Sequence, residues 1–443
     1  MRAATLFRKA LAMSRYLRTL SAGLLLGAAA CDGSSGGIVD PGGGPGGGGG
    51  SASQDCAVGP AQVNVSGNLR AVGAGCVAER FTSELWVHGG WAYTGTWSRR
   101  GAAGLGNALK VWDVTGSAPV LRDSVIVADA GTLGDVQASD DGKLLVVATE
   151  GARGSIVVYD LADPRRPREI ARHSSATTQS GVHTAEVARV GGRLYAFLSV
   201  TSRGTVVTVD LSTPSSPREV WTQQTGSPFT HDVFVRGGLL FTAGWNAGTT
   251  VWDIGGGGRG GTPESPVRLA DIRTANGKVH NLWWYHDPSG AKRYLFVGEE
   301  GPAQTGVMSS GDIHVVDVGS GGDWTGAREV AFYTVPGAGT HNFWVDEPSG
   351  VLYAAYYNGG VRALDVRGDL GTCAEGQKTD LRDAVGGGTA RLCDLGKMGR
   401  EVGRALVGGG QVSVWGVQLV GSTLYASDML NGLWKIDVSG LKR

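Results

Sequence analysis

Short apolar runs punctuated by Gly-Gly, Asp-Gly, Ser-Gly and Pro turns recur along the chain from about residue 80 to its end. Seven of these runs close on an aspartate, at Asp113, Asp160, Asp210, Asp253, Asp317, Asp365 and Asp437, as in Val-Trp-Asp-Val and Val-Tyr-Asp-Leu. The intervals between them are 47, 50, 43, 64, 48 and 72 residues, a unit near 45 with two insertions. Around Asp253 the unit reads as an edge-like strand over 217–225, a strand opening at His231, and a turn at Gly237-Gly238. A third strand over 239–243 and a fourth over 249–253 complete it. Two apolar runs separated by Gly-Gly form a hairpin because φ > 0 is cheap only for glycine. A 45-residue period made of strands throughout predicts an all-β chain, a seven-bladed β-propeller with four-stranded antiparallel blades. No 3.6-residue apolar period extends beyond the N-terminus, so helix should be minimal. The repeated aspartate is expected to be structural, its carboxylate accepting backbone N–H groups in the turn that follows.

The first residues follow a different pattern. Arg2, Arg8, Lys9, Arg15 and Arg18 precede an apolar run from Leu20 to Ala30 that is too short to span a bilayer. Residues 1–30 read as a signal peptide, starting at Met1 or Met13. The segment Gly-Ala-Ala-Ala-Cys resembles the lipobox of bacterial lipoproteins, which implies lipidation of Cys31 and attachment to the membrane. Residues 31–55 are dominated by Gly, Ser and Pro and read as a flexible tether, leaving 56–443 for the propeller. The expected location is the cell envelope, on the periplasmic face or the cell surface.

Composition narrows the partners. With 40 basic and 40 acidic residues the net charge is zero, which argues against nucleic acid because no basic stripe is present. A monomer is expected. Besides Cys31 the chain has Cys56, Cys76, Cys373 and Cys393, two local pairs each 20 residues apart. In an exported chain four cysteines allow three disulfide connectivities, of which nearest-neighbour pairing closes two modest loops. The Gly255 to Gly261 run reads as a floppy loop extension, and Asp140-Asp141-Gly142 as a turn.

When the repeats are aligned, four of the eight histidines share an address. His231, His280 and His341 open the strand that follows the blade crossing, and His183 falls on the same face by the period-two rule. Ser83, Gly134 and Trp415 occupy that position in the other blades. This strand is expected to be innermost, with its first residue at one mouth of the central channel. The antiparallel neighbour brings Glu150, Trp245, Glu299, Glu300, Tyr357, Asn358 and Asp428 to the same rim. Converging imidazoles suit Cu, Zn, Ni or Fe, with carboxylates as supporting or acid–base groups. The alternative is that blade duplication copied a histidine that hydrogen-bonds the neighbouring blade. His88, His173, His286 and His314 read as surface residues.

The strand Ile-Val-Val-Tyr-Asp-Leu followed by Ala-Asp-Pro resembles the LVIVD repeat of exported bacterial proteins and choice-of-anchor-like lipoproteins. So do Val-His-Asn-Leu-Trp at 279–283, Thr-His-Asn-Phe-Trp at 340–344 and the segment 353–362. The His-bearing strands are also similar to those of the selenium-binding protein and methanethiol oxidase propellers, which implies metal-dependent chemistry at channel histidines. Three readings of function follow. The first is a binding module for a protein, glycan or small ligand. The second is a metal-dependent oxidase or hydrolase, and the third a purely structural envelope protein.

Overall fold

The computed structural model describes residues 63–99, 105–151, 153–407 and 412–441. The predicted signal, tether, Cys31 and Cys56 therefore lie outside the described residues. Within them the chain forms seven antiparallel blades and no α-helix, a seven-bladed β-propeller. Blade 4 shows the plan: Asp232–Arg236 is innermost, followed outward by Leu239–Ala243, Thr249–Asp253 and Val267–Ile272. The blades contribute inner strands Arg80–His88, Thr132–Ala138, Thr184–Val190, Asp232–Arg236, Val279–Tyr285, Phe343–Asp346 and Val414–Val420, in ring order.

Two features differ from the sequence reading. The aspartate-ended strand is third, not fourth, and the strand over 217–225 is the outer strand of blade 3 rather than the first of blade 4. Arg218–Gln224 pairs with Thr205–Asp210, and its polar, partly exposed pattern marks an outer edge. The ring is also closed by a strand outside the repeat. Arg70–Gly75 pairs antiparallel with Gly432–Asp437 and becomes the outer strand of blade 7. Its sequence Arg-Ala-Val-Gly-Ala-Gly is small because it lies flat on blade 1. A Cβ on Gly75 would come within 2.5 Å of the Trp112 ring, and one on Gly73 within 2.5 Å of the Ala118 backbone. Upstream, Val63–Ser66 adds a fifth strand to blade 6 by pairing with Glu401–Val407.

All seven repeat aspartates accept the backbone N–H two residues on, from Thr115, Ala162, Ser212, Gly255, Gly319, Arg367 and Ser439. Arginines of the outer strand complete several of them, such as Arg122 on Asp113 and Arg168 on Asp160. Hydrogen bonding holds these carboxyls low: those of Asp113 and Asp437 fall to about 2. The glycine run after Asp253 is ordered around that side chain. The N–H groups of Gly255, Gly256, Gly257, Arg259 and Gly261 all donate to the Asp253 carboxylate. The loop is a shell for one buried aspartate, which explains its glycines better than flexibility does.

The insertion after Asp365 forms a hairpin, Lys378–Arg382 with Thr389–Asp394, that extends blade 5 through a parallel contact with Arg328–Tyr333. The Cys373–Cys393 disulfide pins it. Cys76 is also disulfide-bonded.

Candidate metal centre in the channel

The inner strands converge on the axis, and a repeated irregularity sets what they present there. β-Bulges interrupt the pairing at Leu133/Asp135, Val279/Asn281 and Val414/Gly416, and also between Thr82 and Leu85. A bulge re-aims side chains at the start of a strand. One tier of the channel is therefore Ser83, Gly134, His183, His231, His280, His341 and Trp415.

The four histidines stand side by side. Ring centroids are 4.4 Å apart between His183 and His231, 3.8 Å between His231 and His280, and 4.1 Å between His280 and His341. They are not at an exposed rim as the strand order suggested. All four are at most 3% exposed. Aromatic side chains close that end: Trp245 stacks on His231, Trp415 packs on His341, and Trp97 meets both His183 and Trp415 edge-on or tilted. Trp245 reaches its place through a left-handed backbone, φ 53°. From the histidines a cavity of about 410 Å³ runs along the inner strands as far as Arg236, so the centre is approached from the opposite end of the channel.

Tautomers can be read from the partners. Nδ1 of His341 donates to the Trp415 carbonyl at 2.6 Å, which leaves Nε2 as the lone-pair nitrogen. Nδ1 of His183 sits 2.6 Å from Oε1 of Glu150, the carboxylate–histidine arrangement that fixes a metal-ligating imidazole. Its Nε2 then meets Nε2 of His231 at 3.1 Å. Room for the Glu150 carboxylate comes from Gly134, where a Cβ would lie 2.5 Å from the His183 carbonyl and 3.1 Å from Glu150 Oε1. That is why blade 2 has no histidine in this tier. Neither ring nitrogen of His280, nor Nε2 of His341, has a hydrogen-bond partner among the described residues. Burial, reinforced by the adjacent imidazoles, holds His231 and His280 well below the ordinary histidine range, and burial takes His341 to about 3. These imidazoles are neutral at physiological pH, the form that binds metals.

Glu300 completes the group. Its Oε1 accepts the Tyr357 hydroxyl at 2.6 Å and lies 3.8 Å from His280 Nε2, while burial raises its carboxyl. Ligand atoms of His231, His280 and Glu300 all lie within 4.8 Å of one another, close enough to hold a metal ion. A tetrahedral ion with bonds of about 2.1 Å holds its ligand atoms about 3.4 Å apart, so the set closes with side-chain shifts on the order of 1 Å.

Other residues expected at the rim have different places. Glu299 points away from the channel, contacting Thr274 and lying 3.0 Å from His314 Nε2. His314 is itself completely buried, not a surface residue. Its Nδ1 lies 2.5 Å from Glu329, and the two carboxylates outweigh burial to raise it well above the usual range. Asp428 is buried in its own turn, accepting from Ser413 N–H, Leu430 N–H, the Asn431 amide and the Trp434 indole. Asn358 is exposed and donates to the Gly337 carbonyl. Glu299, Asp428 and Asn358 thus find their partners outside the four channel histidines.

A second tier escaped the sequence reading. The residue after each histidine position also lines the channel, as Glu84, Asp135, Thr184, Asp232, Asn281 and Asn342 do. Its signal was a period-two continuation from a bulge, visible only once the inner strand is known to begin irregularly. Compared with known proteins, the chain matches no family model and no curated protein sequence.

Proposed function

We propose that this protein is an exported metalloprotein that binds a small molecule over a His231, His280 and Glu300 centre at the closed end of its channel. The single observation that carries the reading is the pair of bare nitrogens on His280, 1% exposed, beside neutral His231 and the Glu300 carboxylate. A buried imidazole without partners is costly unless something fills its lone pair. Zn or Cu suits two imidazoles and one carboxylate with an open position. There the ion would act as a Lewis acid on a ligand in the cavity. Glu150 would orient His183 against His231, and Tyr357 would hold the Glu300 carboxylate. The enclosed channel favours a small molecule over a protein or glycan laid across a rim. Support for placing the protein in the cell envelope on a Cys31 lipid comes from the N-terminal sequence alone.

Elemental analysis of the tag-free protein tests the centre. Stoichiometric Zn or Cu, lost in the His231→Ala/His280→Ala double variant, is the expected result. A folded wild type that stays metal-free after incubation with either ion would sink the proposal.

A further inference from the structure

The second tier carries a separate charge pattern. Glu84, Asp135 and Asp232 line the cavity immediately beyond the histidines, and Glu186 lies two residues further along its strand. All four are partly exposed to the channel. Among the described residues the only Lys or Arg along the cavity is Arg236, whose guanidinium is 2.5 Å from Glu347 near the far end. His231, His280 and His341 are neutral, while His183, paired with Glu150, is the one imidazole whose charge bears on Asp135 and Asp232. Three of the carboxylates are oriented by backbone N–H groups: Asp135 accepts from Val136 and Ala185, Asp232 from Val233, and Glu84 from Leu85, with the Asn342 side-chain amide also donating to Glu84. A carboxylate has about four acceptor positions, so these bonds leave oxygen lone pairs facing the cavity. Blade 7 makes space for this tier. A Cβ on Gly416 would lie 1.9 Å from Glu84 Oε1.

Two residues further on, the same inner strands turn aromatic. Trp86, Phe234, Trp283 and Trp344 line the cavity next to the carboxylates, with ring centroids 5.3 to 6.1 Å apart along the series. Oriented carboxylates beside aromatic faces are the chemistry that recognises an ammonium or guanidinium group on an organic frame. A bare divalent cation fits less well. Among the described residues only His231, His280 and Glu300 gather ligand atoms within 4.8 Å of one another, and the acidic tier does not. Independently, His280 and His341, each at least nine-tenths buried and with ring nitrogens that lack a hydrogen-bond partner, line the same cavity.

We infer that the channel selects an organic cation, its amine held by Glu84, Asp135 and Asp232 and its apolar frame set against Trp86, Trp283 and Trp344. The inference rests on the channel being the ligand site but not on the metal. Burial raises the Asp135 carboxyl to about 6, and burial with repulsion from Asp135 raises that of Glu84 to about 8, so a bound cation also draws protons off the tier.

The test is a tryptophan-fluorescence titration of the full protein, metal-loaded and after chelation, with phenethylammonium, 3-phenylpropan-1-ol and 3-phenylpropanoate. The amine should bind at least tenfold tighter than its neutral and anionic analogues. Its affinity should rise at least tenfold from pH 5 to pH 8 as Asp135 and Glu84 ionise. It should fall at least tenfold in Asp135→Asn/Asp232→Asn, with metal content unchanged. Equal binding of the alcohol, unchanged affinity in the double variant, or displacement of the amine by equimolar CaCl₂ would each overturn the inference. If circular dichroism shows that the double variant is misfolded, Trp283→Leu and the pH series decide. Amine binding to a protein that takes up no metal would remove only the metal reading. Metal uptake without amine selectivity would remove only this one.

Discussion

Glu299 and Glu300 are neighbours in sequence, yet one serves the blade and the other the channel. Glu300 meets Tyr357 and the metal group, while Glu299 faces the interior of blade 5 and His314. Both carboxylates sit at the end of the strand Tyr294–Glu299, where side chains alternate between faces, so proximity in sequence separates rather than joins them. His314 shows the same lesson from the other side. Its lone position in the repeat suggested a surface residue, but Glu299 and Glu329 keep it charged inside the blade. His314→Ala should cost about 3–5 kcal/mol by leaving two carboxylates buried without their cation, measurable by urea unfolding. Because the folded-state value of His314 is raised, its contribution is full below about pH 6.5 and fades as pH climbs through that value. The penalty of His314→Ala should accordingly shrink in alkali. A constant penalty from pH 6 to 10 would contradict the assignment.

At the scale of elements, the Asp-ended strands were legible because one physical demand recurs: a carboxylate must accept the N–H two residues on before the chain can leave the third strand. The histidine tier was legible for a related reason, since three copies share an offset from the hairpin turn. The outer strands were misphased because their polar, exposed faces carry little apolar period, as in Val120–Ile126. Arg70–Gly75 was invisible because its partner lies more than 350 residues away and its glycines answer to packing on blade 1 rather than to a repeat. The pairing of Cys373 with Cys393 could be chosen from spacing, but not the attachment of that hairpin to blade 5. Replacing both cysteines by serine should loosen this appendage by about 3 kcal/mol, given the loop it closes. Hydrogen exchange should then speed up in Lys378–Arg382 and Thr389–Asp394 while the inner strands keep their protection. Loss of protection in the inner strands as well would make the insertion part of the ring's cooperative unit.

Two non-local pairings hold the N-terminal strands on the ring, and Arg70–Gly75 on Gly432–Asp437 is the one that closes it. Removing residues up to Gly75 leaves the strand Gly432–Asp437 as an open edge, and such edges recruit other chains. The truncated protein should elute as oligomers or aggregate in size-exclusion chromatography with light scattering. A truncated monomer with cooperative melting would show that blade contacts alone close the ring. The channel also sets a global dependence on pH. Raised carboxyls at Glu84, Asp135 and Asp232 favour the fold below about pH 4 and withdraw that support as pH rises through about 6 to 8. In the absence of ligand, Asp135→Asn/Asp232→Asn should therefore melt at a higher temperature than wild type at pH 8, with a smaller gap at pH 5. A gap that is equal at both pH values would mean that these carboxylates are not titrating in the folded protein.

The strand Val63–Ser66, four residues laid on blade 6 just before the clasp, acquires a mechanical meaning. Cys76 is disulfide-bonded at the far end of that seam, so a pull arriving through that bond would load the start of the Arg80–His88 strand and spare both the ladder on Arg404 to Val407 and the Arg70–Gly75 seam. Shielded in this way, the two N-terminal strands would act as a seal that keeps the ring shut without bearing load.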